Sequence, residues 1–231
     1  MNQNPFSLRK SSVSLQKPFY TINSSAKFGN LWEKDVYYGI RQYLYSGPKE
    51  EGYVQHFVQQ NIRGIWSKPQ IIDIVVYNAS GRNFGIECKA SKQTSVRLSL
   101  LFRHSGKDGQ LAKESEFLSR ANLIGAVAFV MREAGSDESS QRFCAYLISW
   151  NMLLMIRTWT ITTADLDRYA KDKLIIKIPT TNGTFTLPQD VDIFGTLAKM
   201  DRKAGKIATD EKKREKLRTK PPNSLKPKKG R

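Results

Sequence analysis

The sequence predicts an α/β fold, a mixed β-sheet flanked by helices, followed by a C-terminal α+β extension and a basic tail. Three stretches predict it. Residues 27–45, KFGNLWEKDVYYGIRQYLY, set Leu31, Val36, Ile40, Tyr43 and Leu44 at helical spacing. Residues 71–90, IIDIVVYNASGRNFGIECKA, run β-branched and apolar, then turn-forming, then extended, which is a hairpin pattern. Residues 109–121 read as a helix and 124–131, IGAVAFVM, as a buried strand, which makes a strand–helix–strand crossover. With 231 residues and 39% hydrophobic content, the chain is long enough for one substantial core with appendages.

In chain order, residues 1–25 are polar, rich in Ser and Asn, and carry Arg9, Lys10 and Lys17. They read as a flexible arm able to reach a ligand, or simply as a disordered end. The core is expected over 26–149. Within it, Tyr53 to Trp66 is ambiguous between helix and strand, and Phe143 to Ile148 supplies a further apolar strand. The extension, 150–200, begins with a helix over Asn151 to Trp159 capped by Ser149, and Thr162-x-x-Asp165 has the form of a second helix start. Lys173 to Ile178 and Thr184 to Leu187 flank Asn182-Gly183, a hairpin signal, and Val191 to Met200 reads as a closing helix. Residues 201–231 form the basic tail, expected to be disordered, with Thr209 to Arg218 able to turn helical against a phosphate backbone.

The hairpin carries the chemistry. With its turn centred near Ser80, Asp73 lies opposite Glu87; side chains alternate along a strand, so Glu87 and Lys89 share one face while Ile86 and Cys88 share the other. Mg²⁺ is a hard cation that takes one or two protein carboxylates, and Asp73 and Glu87 meet that demand, with the Cys88 backbone carbonyl as a possible third oxygen. Lys89 is placed to stabilise a pentavalent phosphate or to position a nucleophile. This is the minimum equipment of a metal-dependent phosphodiesterase. The alternative is a surface hairpin whose charges are solvated or ion-paired. Glu33 falls on the Val36 and Ile40 side of the first helix, where a carboxylate is costly unless paired or bound to metal; alternatively it sits at the helix edge, screened by Lys34 or Arg41. Gln110 shares a helical face with Phe117 and Ala121, aiming its amide toward Lys89, or is a plain helix-start glutamine.

Pro69, Asp73 and the E-x-K element Glu87-Cys88-Lys89 resemble the PD-(D/E)XK nuclease superfamily, with its restriction-endonuclease-like core. Pro69 departs from the pattern, lying four residues before Asp73 instead of beside it. Across roughly residues 27–148, the order Glu33, Asp73, Glu87-Cys88-Lys89, Gln110 resembles the RecU-type and archaeal Holliday-junction resolvases. The resemblance implies that Glu33 completes a metal site with Asp73 and Glu87 and that Gln110 accompanies the E-x-K element. It further implies an enzyme using Mg²⁺, with Mn²⁺ able to substitute, that hydrolyses branched DNA as a homodimer cutting paired strands. Two alternatives stand beside it: a restriction-like or recombination and repair nuclease acting on duplex or ends, and a non-catalytic nucleic-acid-binding protein.

Charge agrees with a polyanionic partner: the net is +17, with a sequence pI near 9.9. From Arg202 onward, thirteen Lys and Arg face Asp210, Glu211 and Glu215, so the tail holds about +10 and the body about +7. The expected phosphate contacts are Lys92, Arg97, Arg103, Lys107, Lys212, Lys213 and Arg214, without a recognisable base-reading module. A merely solubilising tail fits the same composition. Anionic membrane is a weaker partner, because the tail lacks an apolar face. Two cysteines, Cys88 and Cys144, and two histidines, His56 and His104, assemble neither a disulfide framework nor a zinc site. With no secretory signal and no apolar run of membrane-spanning length, an intracellular protein of the cytoplasm or nucleoid is expected.

Overall fold

The computed structural model describes residues 25–46, 52–57, 61–62, 65–66, 71–78, 81–102, 109–133, 142–156, 160–181 and 184–219. Helix α1 (Ser25–Ser46) leads to β1 (Gly52–His56), the short strands β2 (Asn61–Ile62) and β3 (Ile65–Trp66), and the hairpin β4 (Ile74–Asn78) and β5 (Asn83–Ser91). Then come β6 (Ser95–Arg97), α2 (Leu98–Leu101), α3 (Gln110–Arg120), β7 (Ile124–Arg132), β8 (Phe143–Ser149) and α4 (Trp150–Ile156). The chain continues through β9 (Thr160–Thr162), α5 (Thr163–Lys171), β10 (Ile176–Ile178), β11 (Thr180–Thr181), β12 (Thr184–Phe185) and α6 (Ile193–Thr219).

Among the described residues the main sheet has six strands in the order β1-β4-β5-β7-β8-β10. β5 and β7 pair in parallel, as a helical crossover through α3 requires, and every other neighbouring pair is antiparallel. The mixed α/β class expected from the sequence is the one found.

Both faces of the central strands are covered, which is why they read as continuous apolar runs. Phe84 and Ile86 of β5, Ala126, Ala128 and Val130 of β7, and Ala145 and Leu147 of β8 pack under α1, β12 and the start of α6. The alternate residues Val127, Phe129, Met131, Tyr146 and Ile148 meet α2, α3, α4 and α5 on the other face. Trp32 ties α1 to the sheet by donating its indole N–H to the Ala128 carbonyl at 2.9 Å, and Tyr43 donates its hydroxyl to the Val191 carbonyl at 2.6 Å.

Two glycines set the depth of α3. Gly85 and Gly125 are cross-strand partners in the β5–β7 register, and Leu118 of α3 packs over both. A Cβ at Gly125 would stand 2.6 Å from Leu118 Cδ1 and 2.7 Å from Trp150 Cβ, closer than side chains tolerate. The glycine pair therefore lets α3 approach the strand that carries Glu87.

The hairpin expectation holds: Val75 pairs Gly85 and Ile74 pairs Ile86, and Gly81 turns the chain at φ 76° with its N–H donated to the Asn78 carbonyl. Ser149 caps α4 through Met152 N–H, and Thr162 with Asp165 forms the expected capping box on α5. Between Tyr53 and Trp66, residues 53–56, 61–62 and 65–66 are strand, in β1, β2 and β3.

Three expectations are corrected. Lys173 to Ile178 does not pair with Thr184 to Leu187: β10 joins the β8 edge of the main sheet, and β12 pairs with β11. Strand periodicity marks a segment as extended but does not choose its partner, and Ile178 joins the apolar core on the α1 side of the sheet. The extension thus supplies the sixth strand of the core sheet. Second, residues 201–219 are helical, not disordered, because α6 runs on from Ile193 to Thr219. Its first half is anchored, with Asn151 N–H donating to Asp201 Oδ1 at 3.0 Å and Ala204 buried against α4. Strong helix formers carry the helix on from that nucleus. Third, the buried face of α3 is Glu114 and Leu118, with Gln110 partly covered in line with them, while Ala121 is exposed.

Candidate active site

The site forms where the sheet forks. β4 begins at Ile74, and the residue before it, Asp73, stops following the ladder with its side chain. Its backbone carbonyl still accepts from Phe57 N–H at 2.8 Å, but its Oδ2 accepts the Cys88 backbone N–H at 2.7 Å. One residue therefore holds both neighbouring strands at the point where they separate. Extending the β4–β5 register by one step puts Asp73 opposite Glu87, as the sequence suggests.

Glu87 is 4% exposed, and its Oε1 accepts two donors: Lys89 Nζ at 2.6 Å and Gln110 Nε2 at 2.9 Å. Lys89 comes from the same strand face, and its ammonium also stands 5.0 Å from the centroid of the Phe102 ring. Gln110 comes from the first turn of α3. From the other side of the fork, α1 contributes Glu33, whose Oε1 is 2.5 Å from His56 Nε2 of β1; the imidazole is stacked on Tyr37 at 5.1 Å. Glu33, Asp73, Glu87, Lys89 and Gln110 are thus brought into one neighbourhood by four elements.

The neighbourhood holds more negative charge than it pairs. Burial pushes the Glu87 carboxyl well above the usual range, and the Asp73 charge adds to this against the pull of Lys89. Burial also raises Asp73, tempered by the Cys88 amide, and raises Glu33, with Asp73 adding and His56 opposing. For Lys89, burial disfavours the ammonium, but the charge and hydrogen bond of Glu87 outweigh it and the pKa rises. Asp73 is the hub, since its field acts on Glu33, Glu87 and Glu114 alike.

Sequence reasoning missed two participants. Glu114, one turn after Gln110 on α3, is 1% exposed, and neither carboxylate oxygen has a hydrogen-bond partner. Burial raises its pKa to about 7, with Lys89 pulling it back. The Gln110 amide, which donates to Glu87, lowers that value too. The spacing Leu111, Glu114, Leu118 held the signal. His56 had none, since β1 buries only Val54 and shows no periodicity.

The donor set suits a hard divalent cation. Asp73 and Glu87 give the two carboxylates that Mg²⁺ usually takes from a protein, and the uncompensated acidic charge would be relieved by a cation. Among the described residues, no three His, Cys, Asp or Glu side chains are gathered closely enough to enclose a metal ion as they stand. Glu33, held by His56, is not drawn into such a trio. The structure gives Cys88 a role through its amide, as the donor to Asp73. Burial pushes the thiols of both Cys88 and Cys144 up, away from the thiolate form that a nucleophile needs.

Of the expected phosphate contacts, Arg97 is exposed, and Lys92 is half-buried with its ammonium 5.6 Å from the Phe28 ring centroid. Arg103, Lys107 and the side chains of Lys212, Lys213 and Arg214 lie outside the described residues, as do Pro69, Ser80, His104 and residues 1–24. No helix among the described residues is long and apolar enough to cross a membrane.

No family model and no curated protein matches the chain. Among solved structures, it is similar to a Holliday junction resolvase, Hjc, from the archaeal hyperthermophile Archaeoglobus fulgidus. The identity is 13% and the TM-score 0.39, over 61% of this chain and 93% of that one.

Proposed function

We propose that the chain is a Mg²⁺-dependent, structure-selective DNA endonuclease that hydrolyses phosphodiester bonds, with four-way junctions as its substrate class. The observation that carries the reading is the fork itself, where Asp73 and Glu87 lie side by side with Lys89 and Gln110 on the second carboxylate. In this reading Asp73 and Glu87 hold the cation, which supplies charge neutralisation on the phosphate and acidification of a water. Lys89 then donates to a non-bridging oxygen of the scissile phosphate and stabilises the charge that builds there. Gln110 keeps Glu87 oriented after Lys89 has moved to the phosphate. Glu33, held by His56 beyond Asp73, accepts a hydrogen bond from the attacking water and sets its line of approach.

Phosphate charge across a junction would be met by Lys92, Arg97, Arg103, Lys107 and the basic tail on α6. Recognition would thus be by shape and backbone, not by base edges. Cutting two strands at related positions calls for a symmetric dimer. A second reading, a nucleic-acid-binding protein without turnover, is favoured by two observations: Glu87 is already occupied by two donors, and among the described residues no three-residue metal cluster stands ready. The deciding experiment incubates the full chain with labelled four-way junction and with linear duplex of the same sequence, with and without Mg²⁺. Junction cleavage only in the presence of the cation is the expected result. Equal cutting of linear duplex would reassign the substrate, and tight binding without cutting in any divalent cation would leave the second reading.

A further inference from the structure

The reading above leaves Glu114 without a task, and its surroundings make that costly. A carboxylate 1% exposed with neither oxygen hydrogen-bonded is a destabilising arrangement, of a kind proteins keep where it serves a site. It lies one turn from Gln110 on the same face of α3, and that helix is seated against the sheet by Leu118 over the Gly85–Gly125 pair. Gln110 and Glu114 therefore approach the Glu87–Lys89 pair together. We infer that Glu114 is a positioning residue for Lys89, receiving its ammonium when Glu87 turns to a divalent cation.

The inference rests on the metal-dependent reading and deepens it. Glu87 Oε1 cannot accept Lys89 Nζ at 2.6 Å and ligate a cation without setting two positive charges side by side. The ammonium must leave, yet catalysis needs it to stay within reach of the phosphate. The Phe102 ring offers only a weak hold. Lys89 acts on Asp73, Glu87 and Glu114 alike, and of the three only Glu114 is not assigned to the cation and has carboxylate oxygens without a hydrogen-bond partner. An amide on Glu87 and a carboxylate for Lys89, spaced one helical turn apart, would let the pair open without leaving a buried charge unpaired.

The test measures Mg²⁺ binding to the full chain by calorimetry without DNA, for wild type, Glu114→Gln, Lys89→Ala and the double variant. Glu114→Gln should weaken Mg²⁺ binding by about tenfold or more, the range for losing an outer-shell partner. In the Lys89→Ala background the same change should have no effect, because no ammonium needs a new partner. In junction cleavage, Glu114→Gln should lower kcat with KM unchanged, and the double variant should cut no more slowly than Lys89→Ala alone. Glu114→Gln keeps the side-chain shape and removes a buried charge, so it should melt no lower than wild type. Wild-type Mg²⁺ affinity in Glu114→Gln would overturn the inference. So would an equal loss in both backgrounds, which would make Glu114 a direct ligand or a general field. A wild-type chain that takes up no Mg²⁺ would instead overturn the metal-dependent reading, and this inference with it.

Discussion

Asp35 offers a prediction that needs no assumption about function. It lies on α1, 8% exposed, beside the residues that pack that helix on the sheet, and burial raises its pKa from 3.8 to about 6. A folded-state pKa above the unfolded one means that the native state binds the proton more tightly. The stability linked to that proton is complete below about pH 3.8 and is lost as pH rises through about 6. The interval corresponds to about 3 kcal/mol at 1.36 kcal/mol per pKa unit. Asp35→Asn keeps the shape and removes the charge. It should stabilise the chain by up to about 3 kcal/mol near pH 8, about 6–12 °C in Tm for a chain of this size, and by almost nothing near pH 4. Urea unfolding of both proteins across this range reads the difference directly, and the other acids cancel because they are present in both. A gain that does not shrink toward low pH, or a loss near pH 8, would refute the burial argument and show that Asp35 has a partner it depends on.

The remaining predictions concern the fork and its supports. Asp73→Asn and Glu87→Gln should each abolish Mg²⁺-dependent cleavage while junction affinity in a gel-shift assay stays within a few fold. Lys89→Ala should slow single-turnover cleavage by about 10²- to 10³-fold, the cost of one transition-state donor; weaker binding with an intact rate would make it an ordinary phosphate contact. Truncation after Asp210 keeps the part of α6 anchored at Asn151 and Ala204, and should flatten the dependence of log affinity on log salt by about 0.9 per lost phosphate contact, with cutting retained at saturating enzyme. Gly125→Ala should destabilise by about 1–3 kcal/mol through overpacking against Leu118 and Trp150. By lifting α3, it should also lower activity more than its loss of stability explains.

Legibility in the sequence followed the range of the interactions involved. The Asp73–Glu87 pairing is readable because hairpin register depends on the turn between the strands, and Asn78 to Asn83 is rich in turn formers. The approach of Glu33 and Gln110 is half readable: helical periodicity gives the direction of each side chain, but not what meets it. The partner of Glu33 is His56, on an edge strand with one buried residue, so no pattern marks it. Glu114 failed for the opposite reason. Its position is plainly on the buried stripe, but a reading that sends carboxylates to solvent overrides the period. The pairing of β10 with β8 and the persistence of α6 past Met200 both depend on contacts distant in sequence, Ile178 in the core cluster and Asp201 on Asn151, which local patterns do not contain.

The double use of Asp73 decides which substitutions can be interpreted. Its carboxylate is proposed as a metal ligand, but in the structure it also satisfies the Cys88 N–H at 2.7 Å, at the point where β4 no longer can. Asp73→Ala would remove both functions. It would leave a backbone donor without its partner, at about 1–3 kcal/mol, and would loosen the strand that carries Glu87 and Lys89. Loss of cleavage in that variant would say nothing about metal. Asp73→Asn keeps a carbonyl oxygen in place for the Cys88 N–H and removes only the charge, so the fork should stay closed while cation affinity falls. The two variants should therefore differ in melting temperature but agree in activity. If Asp73→Asn cuts as well as wild type while Asp73→Ala does not, the residue is a strand clamp and the cation is held elsewhere.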